Sequence, residues 1–226
     1  ASNGIDLRDS VKLTETIQND PNTLLINVIG VIPAHILTLL FAWLVVTYWR
    51  KYSFLEMLGW EWGGFRVFHL IGIVVGFFAI AGILSNFFPE QENDFLKMLK
   101  SSRSIVFVVA FMATFSAPIV EEVVYRGVLY SAFQRTFGVT IAVVFVTLLF
   151  AAVHVPQYYP SFASIFVICL LSLVITLVRV KSNNLLPCII LHTVFNGIQS
   201  ALLIAEPYLR QYISEPQTQS AFFFWQ

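Results

Sequence analysis

Two adjacent glutamates interrupt an apolar run of the sequence, APIVEEVVYRGVLY at residues 117–130. A buried carboxylate is costly unless it is paired or hydrogen-bonded, so a second one beside it requires a reason. Glu122 and Arg126 are four residues apart, which places them on one helix face where they can form an ion pair. Glu121 lies about 100° further round the helix and stays free for chemistry. The spacing therefore predicts a structural role for Glu122 and Arg126 and a reactive role for Glu121.

Three more polar side chains stand in later apolar runs. His154 ends the sequence FAAVH, and His192 and Asn196 begin and end HTVFN. The four-residue spacing lets His192 and Asn196 point to one place, and Phe150 has the same spacing from His154. A carboxylate beside an imidazole can hold and deprotonate water. Imidazole and amide N–H groups can stabilise an oxyanion. The set indicates amide hydrolysis by an activated water.

Signatures of other hydrolases are missing from the sequence. There is no GxSxG and no HExxH, and neither Cys169 nor Cys188 accompanies a histidine in a recognisable motif. We expect no cofactor. Glutamate and histidine are nevertheless zinc ligands, so a zinc-bound water held by Glu121, His154 and His192 stays open as the alternative.

The composition is that of an integral membrane protein. Of 226 residues, 58% are hydrophobic and 12% are charged, whereas a soluble domain has about a quarter charged residues. Net charge is zero, so nothing suggests nucleic acid as a partner. We predict an all-α, polytopic transmembrane helix bundle with a polar catalytic cavity inside the membrane. The predicted spans, about six, lie approximately at 24–49, 67–88, 104–134, 138–155, 162–180 and 185–205.

These helices can bring the polar residues to a similar depth. Glu121 and His154 each lie roughly 22–26 Å from the turn at 136–138, at 1.5 Å per residue. His192 and Asn196 lie about 13–20 Å from the loop before the sixth span, which is on the same side of the membrane. Helix tilts of about 20° leave these depths compatible. Three segments that are distant in sequence can therefore meet at one site.

The three polar motifs resemble those of a known family. EEVVYR (121–126), FAAVH (150–154) and HTVFN (192–196) are similar, in order and approximate spacing, to the EExxxR, FxxxH and HxxxN motifs of the CAAX protease and bacteriocin-processing (CPBP, or Abi) family. That family includes the type II CAAX prenyl endopeptidases. The resemblance covers about 104–205, and residues 1–103 carry no motif that matches.

This resemblance implies intramembrane proteolysis without a metal. It gives Glu121 and His154 as the water-activating residues and His192 and Asn196 as the oxyanion donors. Glu122, Arg126 and Phe150 match supporting positions. The implied partners are membrane lipids and a peptide or protein substrate. In the prenyl-protease branch the substrate is a C-terminal CaaX sequence, cut just after its prenylated cysteine. Here we expect cleavage near the C-terminus of the substrate, with or without a prenyl group.

The motifs also suggest how the chain is divided. We expect a polar N-terminal segment at 1–23, one transmembrane protease domain at 24–205 with its motif-bearing core at 104–205, and a C-terminal tail at 206–226 that ends in AFFFWQ. RGVL after the arginine and LLPCIILH before the last motif are similar to bacterial members. We therefore expect a multi-pass protein of a prokaryotic plasma (inner) membrane.

Two other functions and three other features need an interpretation. Intramembrane Glu, His and Arg also occur in ion-coupled transporters, and a non-catalytic scaffold could keep the same fold. A transporter favours paired repeats, which the sequence lacks. His35 and His69 have no partner at matching spacing, so we interpret both as structural or interfacial. We interpret 92–103 as a surface loop in preference to an amphipathic helix that contacts substrate.

Overall fold

The computed structural model describes residues 20–88 and 91–209. Most of the predicted N-terminal segment 1–23 and of the tail 206–226, including AFFFWQ, lies outside the described residues. Within the described ranges the chain is helical and contains no strand. The division of the chain at residues 23 and 205 stays a prediction.

The described chain forms helices separated by short connections. In chain order they are α1 (Pro21–Ile29), α2 (Val31–Thr47), α3 (Phe54–Leu58), α4 (Val67–Phe87), α5 (Asp94–Ser101), α6 (Arg103–Phe137), α7 (Val139–Tyr158), α8 (Phe162–Ser182) and α9 (Leu186–Leu209). The side chain of Asp20 caps α1 by accepting from the Thr23 backbone N–H at 2.9 Å. Its hydrogen bonds with the Thr23 side chain and backbone lower the pKa of Asp20.

Six of these segments are long and apolar enough to cross a membrane, as the sequence predicted. They are α1 with α2 (Asn22–Thr47), α4, α6, α7, α8 and α9. Large hydrophobic side chains such as Phe68 and Phe41 are exposed on the outside of the bundle, where lipid replaces water. The protein is therefore an all-α, integral membrane helix bundle. The third span, α6, is one helix of 35 residues, well beyond the ~20 that a bilayer needs.

Two π-helical turns interrupt α6 on either side of the glutamates. They cover Met112–Ser116 and Val123–Leu129, and the regular α-helical segment between them is Ala117–Glu122. Pro118 follows the first π turn, and because proline lacks an N–H it removes one regular hydrogen bond from the preceding turn. Such turns are rare and occur often at functional sites. They set the rotation of Glu121 and Glu122 relative to the rest of α6.

The packed centre of the bundle lies between α8, α9 and α4. Half of the α8 span is buried, compared with only 6% of the first span. Phe195 of α9 is fully buried, and its ring centroid is 4.6 Å from that of Phe77 in α4. The α9 helix, which carries HTVFN, is therefore held in the packed centre of the bundle.

A connection on the α3 side fixes the start of α9. The backbone N–H of Leu185 donates to the Gly59 carbonyl at 2.8 Å, and that of Glu61 to Asn184 Oδ1 at 3.3 Å. Gly63 has φ +55°, and a Cβ there would meet the Ser182 carbonyl oxygen at 2.2 Å. This close approach requires glycine.

The interpretation of 92–103 as a surface loop is wrong. Residues Asp94–Ser101 form the helix α5, which Asn93 caps by accepting from the Leu96 N–H at 2.9 Å. Leu96 and Leu99 are buried, so the helix packs by its apolar face against the bundle. Apolar residues at helical spacing outweighed the charged residues between them.

Candidate active site

All four residues that the sequence predicted to be catalytic line one cavity of about 350 Å³. Glu121 comes from α6, His154 from α7, and His192 and Asn196 from α9. Residues of α1, α2, α5 and α8 complete its walls. The three segments that the sequence predicted to meet at one site therefore do meet there.

The predicted ion pair of Glu122 and Arg126 is present, next to Glu121 in the chain. Both side chains are fully buried, and Arg126 Nη1 donates to Glu122 Oε1 at 2.9 Å. Arg126 also donates to Thr176 Oγ1 and to the backbone and side-chain oxygens of Ser172, at 2.8–3.2 Å. A buried ion needs hydrogen bonds as well as a counter-charge. Glu122 is the counter-charge, and α8 supplies the further hydrogen bonds to Arg126.

Glu122 has a second partner that the sequence did not reveal. His192 Nδ1 lies 2.8 Å from Glu122 Oε1, the same oxygen that accepts from Arg126. A carboxylate only accepts, so the Nδ1–H donates and the ring is held with Nε2 pointing away from Glu122. That nitrogen lies 3.7 Å from Glu121 Oε2. Glu122 is therefore the residue that orients His192 as well as the counter-ion of Arg126.

Glu121 is the carboxylate that faces the cavity. Its side chain is 24% exposed, whereas that of Glu122 is not exposed at all. The difference follows from the rotation between neighbouring helix positions, which turns one carboxylate inwards and the other towards the cavity. The two glutamates thus have the separate environments that their spacing predicted.

His154 has a defined tautomer. Its Nδ1 lies 2.7 Å from the carbonyl oxygen of Phe150, one turn earlier in α7. Because a carbonyl accepts only, Nδ1 carries the proton, and Nε2 of the neutral ring is left as an acceptor. The site therefore offers a basic nitrogen on its α7 side.

Phe150 packs in the centre of these groups. It is buried, and its ring centroid is 4.8 Å from the Arg126 guanidinium carbon, 4.6 Å from the His154 ring and 6.0 Å from the His192 ring. An aromatic face attracts a cation, so Phe150 stabilises the charged end of Arg126. Phe150 also lines the cavity, and its supporting role stays a prediction.

Asn196 is fixed by the first π turn of α6. Its Nδ2 donates to the carbonyl oxygen of Ala113 at 2.8 Å. A carboxamide nitrogen has two N–H groups, so one remains for another acceptor. His192 and Asn196 both line the cavity from one face of α9.

The two histidines interpreted as structural differ from each other. His69 Nδ1 accepts from the Arg66 backbone N–H at 3.0 Å and caps α4, as a structural residue would. His35 Nδ1 lies 3.2 Å from Ser116 Oγ and joins α2 to α6, but His35 also lines the cavity.

The zinc alternative requires three ligands at metal-binding distance. Across residues 20–88 and 91–209, no three His, Cys, Asp or Glu side chains are grouped in a way that could hold a metal ion. In particular, Glu121, His154 and His192 line one cavity without forming such a group.

Comparison with known protein families gives a match in the part of the chain that carries these residues. Residues 103–198 match the family model described as type II CAAX prenyl endopeptidase Rce1-like. No curated protein matches the chain, and no solved structure does. The matched region runs from the first residue of α6 to just beyond Asn196, so it contains every candidate residue named above. Residues 103–198 of this integral membrane protein are therefore similar to the type II CAAX prenyl endopeptidases.

Proposed function

We propose that this protein is an intramembrane endopeptidase in which Glu121 and His154 activate the water that hydrolyses a peptide bond. The observation that carries the proposal is the environment of Glu121. It is a cavity-facing carboxylate 3.7 Å from His192 Nε2, beside a second glutamate that is fully buried and paired. The family match supports a peptide or protein as substrate.

In the proposed reaction, Glu121 is the general base. A water in the cavity donates one hydrogen to the Glu121 carboxylate and the other to Nε2 of His154, whose Nδ1–H is held by Phe150. The water oxygen attacks the scissile carbonyl carbon, and Glu121 accepts the proton. When the C–N bond breaks, Glu121 returns that proton to the leaving nitrogen. The products are an amine and a carboxylic acid, which becomes a carboxylate when it loses the second proton of the attacking water to solvent.

His192 and Asn196 are the proposed oxyanion donors. Asn196 has one N–H beyond the one that Ala113 accepts. His192 already donates Nδ1–H to Glu122, so Nε2 becomes a donor when the ring carries a second proton. Because Glu122 and Ala113 fix the positions of these two side chains, they can stabilise the developing negative charge with little reorganisation.

For the substrate we propose the C-terminal segment of a peptide, with a prenylated CaaX sequence as the first candidate. Support comes from the family description and from the apolar part of the cavity wall, which Phe95, Met98 and Leu99 of α5 and Val28 of α1 form. We further propose that the protein acts in a prokaryotic plasma membrane.

The test is cleavage of a farnesylated CaaX peptide by the purified protein, with products identified by mass spectrometry. We expect release of the three C-terminal residues by the wild type. Glu121→Gln should lower kcat by about 10²- to 10⁴-fold, because it keeps the shape of the side chain but removes the base. Its thermal unfolding should be unchanged. Normal cleavage by Glu121→Gln would refute the role of this carboxylate.

We also propose that the water is activated without a metal. Strong chelators should then leave the rate of cleavage unchanged. Loss of activity with a chelator and recovery with zinc would contradict this mechanism. If neither wild type nor variant cleaves any tested peptide, a scaffold or transport role would become the better explanation of the same cavity.

A further inference from the structure

The polar face of α9 continues past the proposed oxyanion donors. One face of α9 lines the cavity with residues at intervals of four, three and four: His192, Asn196, Gln199 and, at its end, the apolar Leu203. Gln199 belongs to no motif that the sequence suggested. It lies about 4.5 Å further along the helix axis than Asn196.

Gln199 differs from its polar neighbours in having an unused donor. Its Nε2 is shielded from solvent and has no hydrogen-bond partner among the described residues. By contrast, Asn196 donates to the Ala113 carbonyl, and Ser200 donates to the Ala110 carbonyl while it accepts from Thr114 Oγ1. Buried donors without a partner are rare in native proteins, because leaving one unpaired is destabilising. A partner that arrives with the substrate is one reason to retain it.

We propose that the Gln199 side chain is a positioning residue that donates a hydrogen bond from Nε2 to a main-chain carbonyl oxygen of the bound peptide. This inference rests on the proposed function. An extended peptide advances about 3.3 Å per residue, so an offset of about 4.5 Å corresponds to a carbonyl one or two residues from the scissile bond.

The surrounding charges favour a neutral carbonyl over the peptide's terminal carboxylate. Among the described residues that line the cavity, none is Lys or Arg. Glu121 is the one carboxylate among the described residues that line the cavity, and it would repel another anion. A buried carboxylate needs a counter-charge, whereas a carbonyl oxygen needs only a donor.

The experiment compares Gln199→Leu with the wild type in peptide cleavage. Leucine has similar size and no polar atoms, so we expect KM to rise about fivefold to tenfold while kcat stays within about twofold. Thermal unfolding should occur at the same or a higher temperature, since the unpaired donor is gone. A residue with a merely structural role would instead lower the unfolding temperature. Gln134→Leu, a glutamine outside the cavity, is the matched control and should leave KM unchanged.

Two peptides separate the possible acceptors. The effect of Gln199→Leu on KM should be the same for a peptide with a free C-terminus and for its C-terminal amide. An effect confined to the free acid would overturn the proposal in favour of a terminal carboxylate. An unchanged KM with both peptides would overturn it altogether.

A binding measurement decides the inference without catalysis. One fluorescently labelled farnesylated peptide is titrated onto two proteins. The first is the Glu121→Gln variant, and the second carries both Glu121→Gln and Gln199→Leu. Binding that is about fivefold to tenfold weaker in the double variant supports the proposal, and equal binding refutes it. If the wild type fails to cleave, the proposed function fails, but this comparison still tests Gln199.

Discussion

Breaking the buried pair of Glu122 and Arg126 should separate the stability of the protein from its activity. Both side chains are fully buried, so removal of one leaves the other as an uncompensated buried charge. Such a loss costs about 3–5 kcal/mol. We therefore expect Glu122→Gln and Arg126→Met each to lower the free energy of unfolding by roughly that amount. The Arg126 variant also loses the hydrogen bonds to Ser172 and Thr176.

The double variant should recover part of this stability. Removing both charges leaves no unpaired ion. The double variant should therefore lose about 1–3 kcal/mol less free energy of unfolding than the sum of the two single losses. Activity should behave differently, because Glu122 also accepts the Nδ1–H of His192 at 2.8 Å. Without that acceptor the ring is no longer held with Nε2 towards the reacting carbonyl. We expect kcat to fall by about 10²- to 10³-fold in every variant that lacks Glu122.

Thermal unfolding in detergent and peptide cleavage measure the two effects. The control is the exposed pair of Asp94 and Lys97, joined at 3.1 Å with side chains 89% and 61% exposed. Removing that pair should change stability by at most about 1 kcal/mol and leave activity unchanged. Strictly additive losses in the double variant would refute the coupling. Wild-type activity in the double variant would refute the orienting role of Glu122.

Two further changes test the site and its support. Asn196→Asp removes the N–H groups that face Ala113 and the proposed oxyanion, so kcat in the cleavage assay should fall by about 10²- to 10³-fold. The control is Asn86→Asp, which loses a similar hydrogen bond to a backbone carbonyl outside the cavity and should leave kcat unchanged. Gly63→Ala should lower the unfolding temperature and the yield of folded protein, because its Cβ would clash with the Ser182 carbonyl oxygen at 2.2 Å; normal unfolding would show that this connection can shift.

The helical fold was largely predictable from the sequence. A bilayer admits helices of a minimum length, so long apolar runs define the spans with little ambiguity. The prediction failed at α5, where Leu96 and Leu99 pack against the bundle although polar residues surround them. The π turns of α6 were not predicted either, because no residue pattern distinguishes a widened turn from a regular one.

Contacts within one helix could be predicted, and contacts between helices could not. The spacing of Glu122 and Arg126 determines their pairing, because residues four apart always share a helix face. The bond of Glu122 to His192 joins residues 70 apart in sequence, and that of Asn196 to Ala113 joins residues 83 apart. These bonds depend on how far each helix is rotated and shifted against the next.

The sequence alone predicted which side chains could do chemistry and roughly how far along their helices they lie, because the rise of a helix per residue is a fixed quantity. Only the tertiary structure decided which atoms those side chains present to the cavity. It turned Nε2 of His192 towards Glu121 and left Nε2 of Gln199 without a partner among the described residues. Packing sets rotation about the helix axis, and a rotation of less than one residue exchanges a buried atom for one that can reach a substrate.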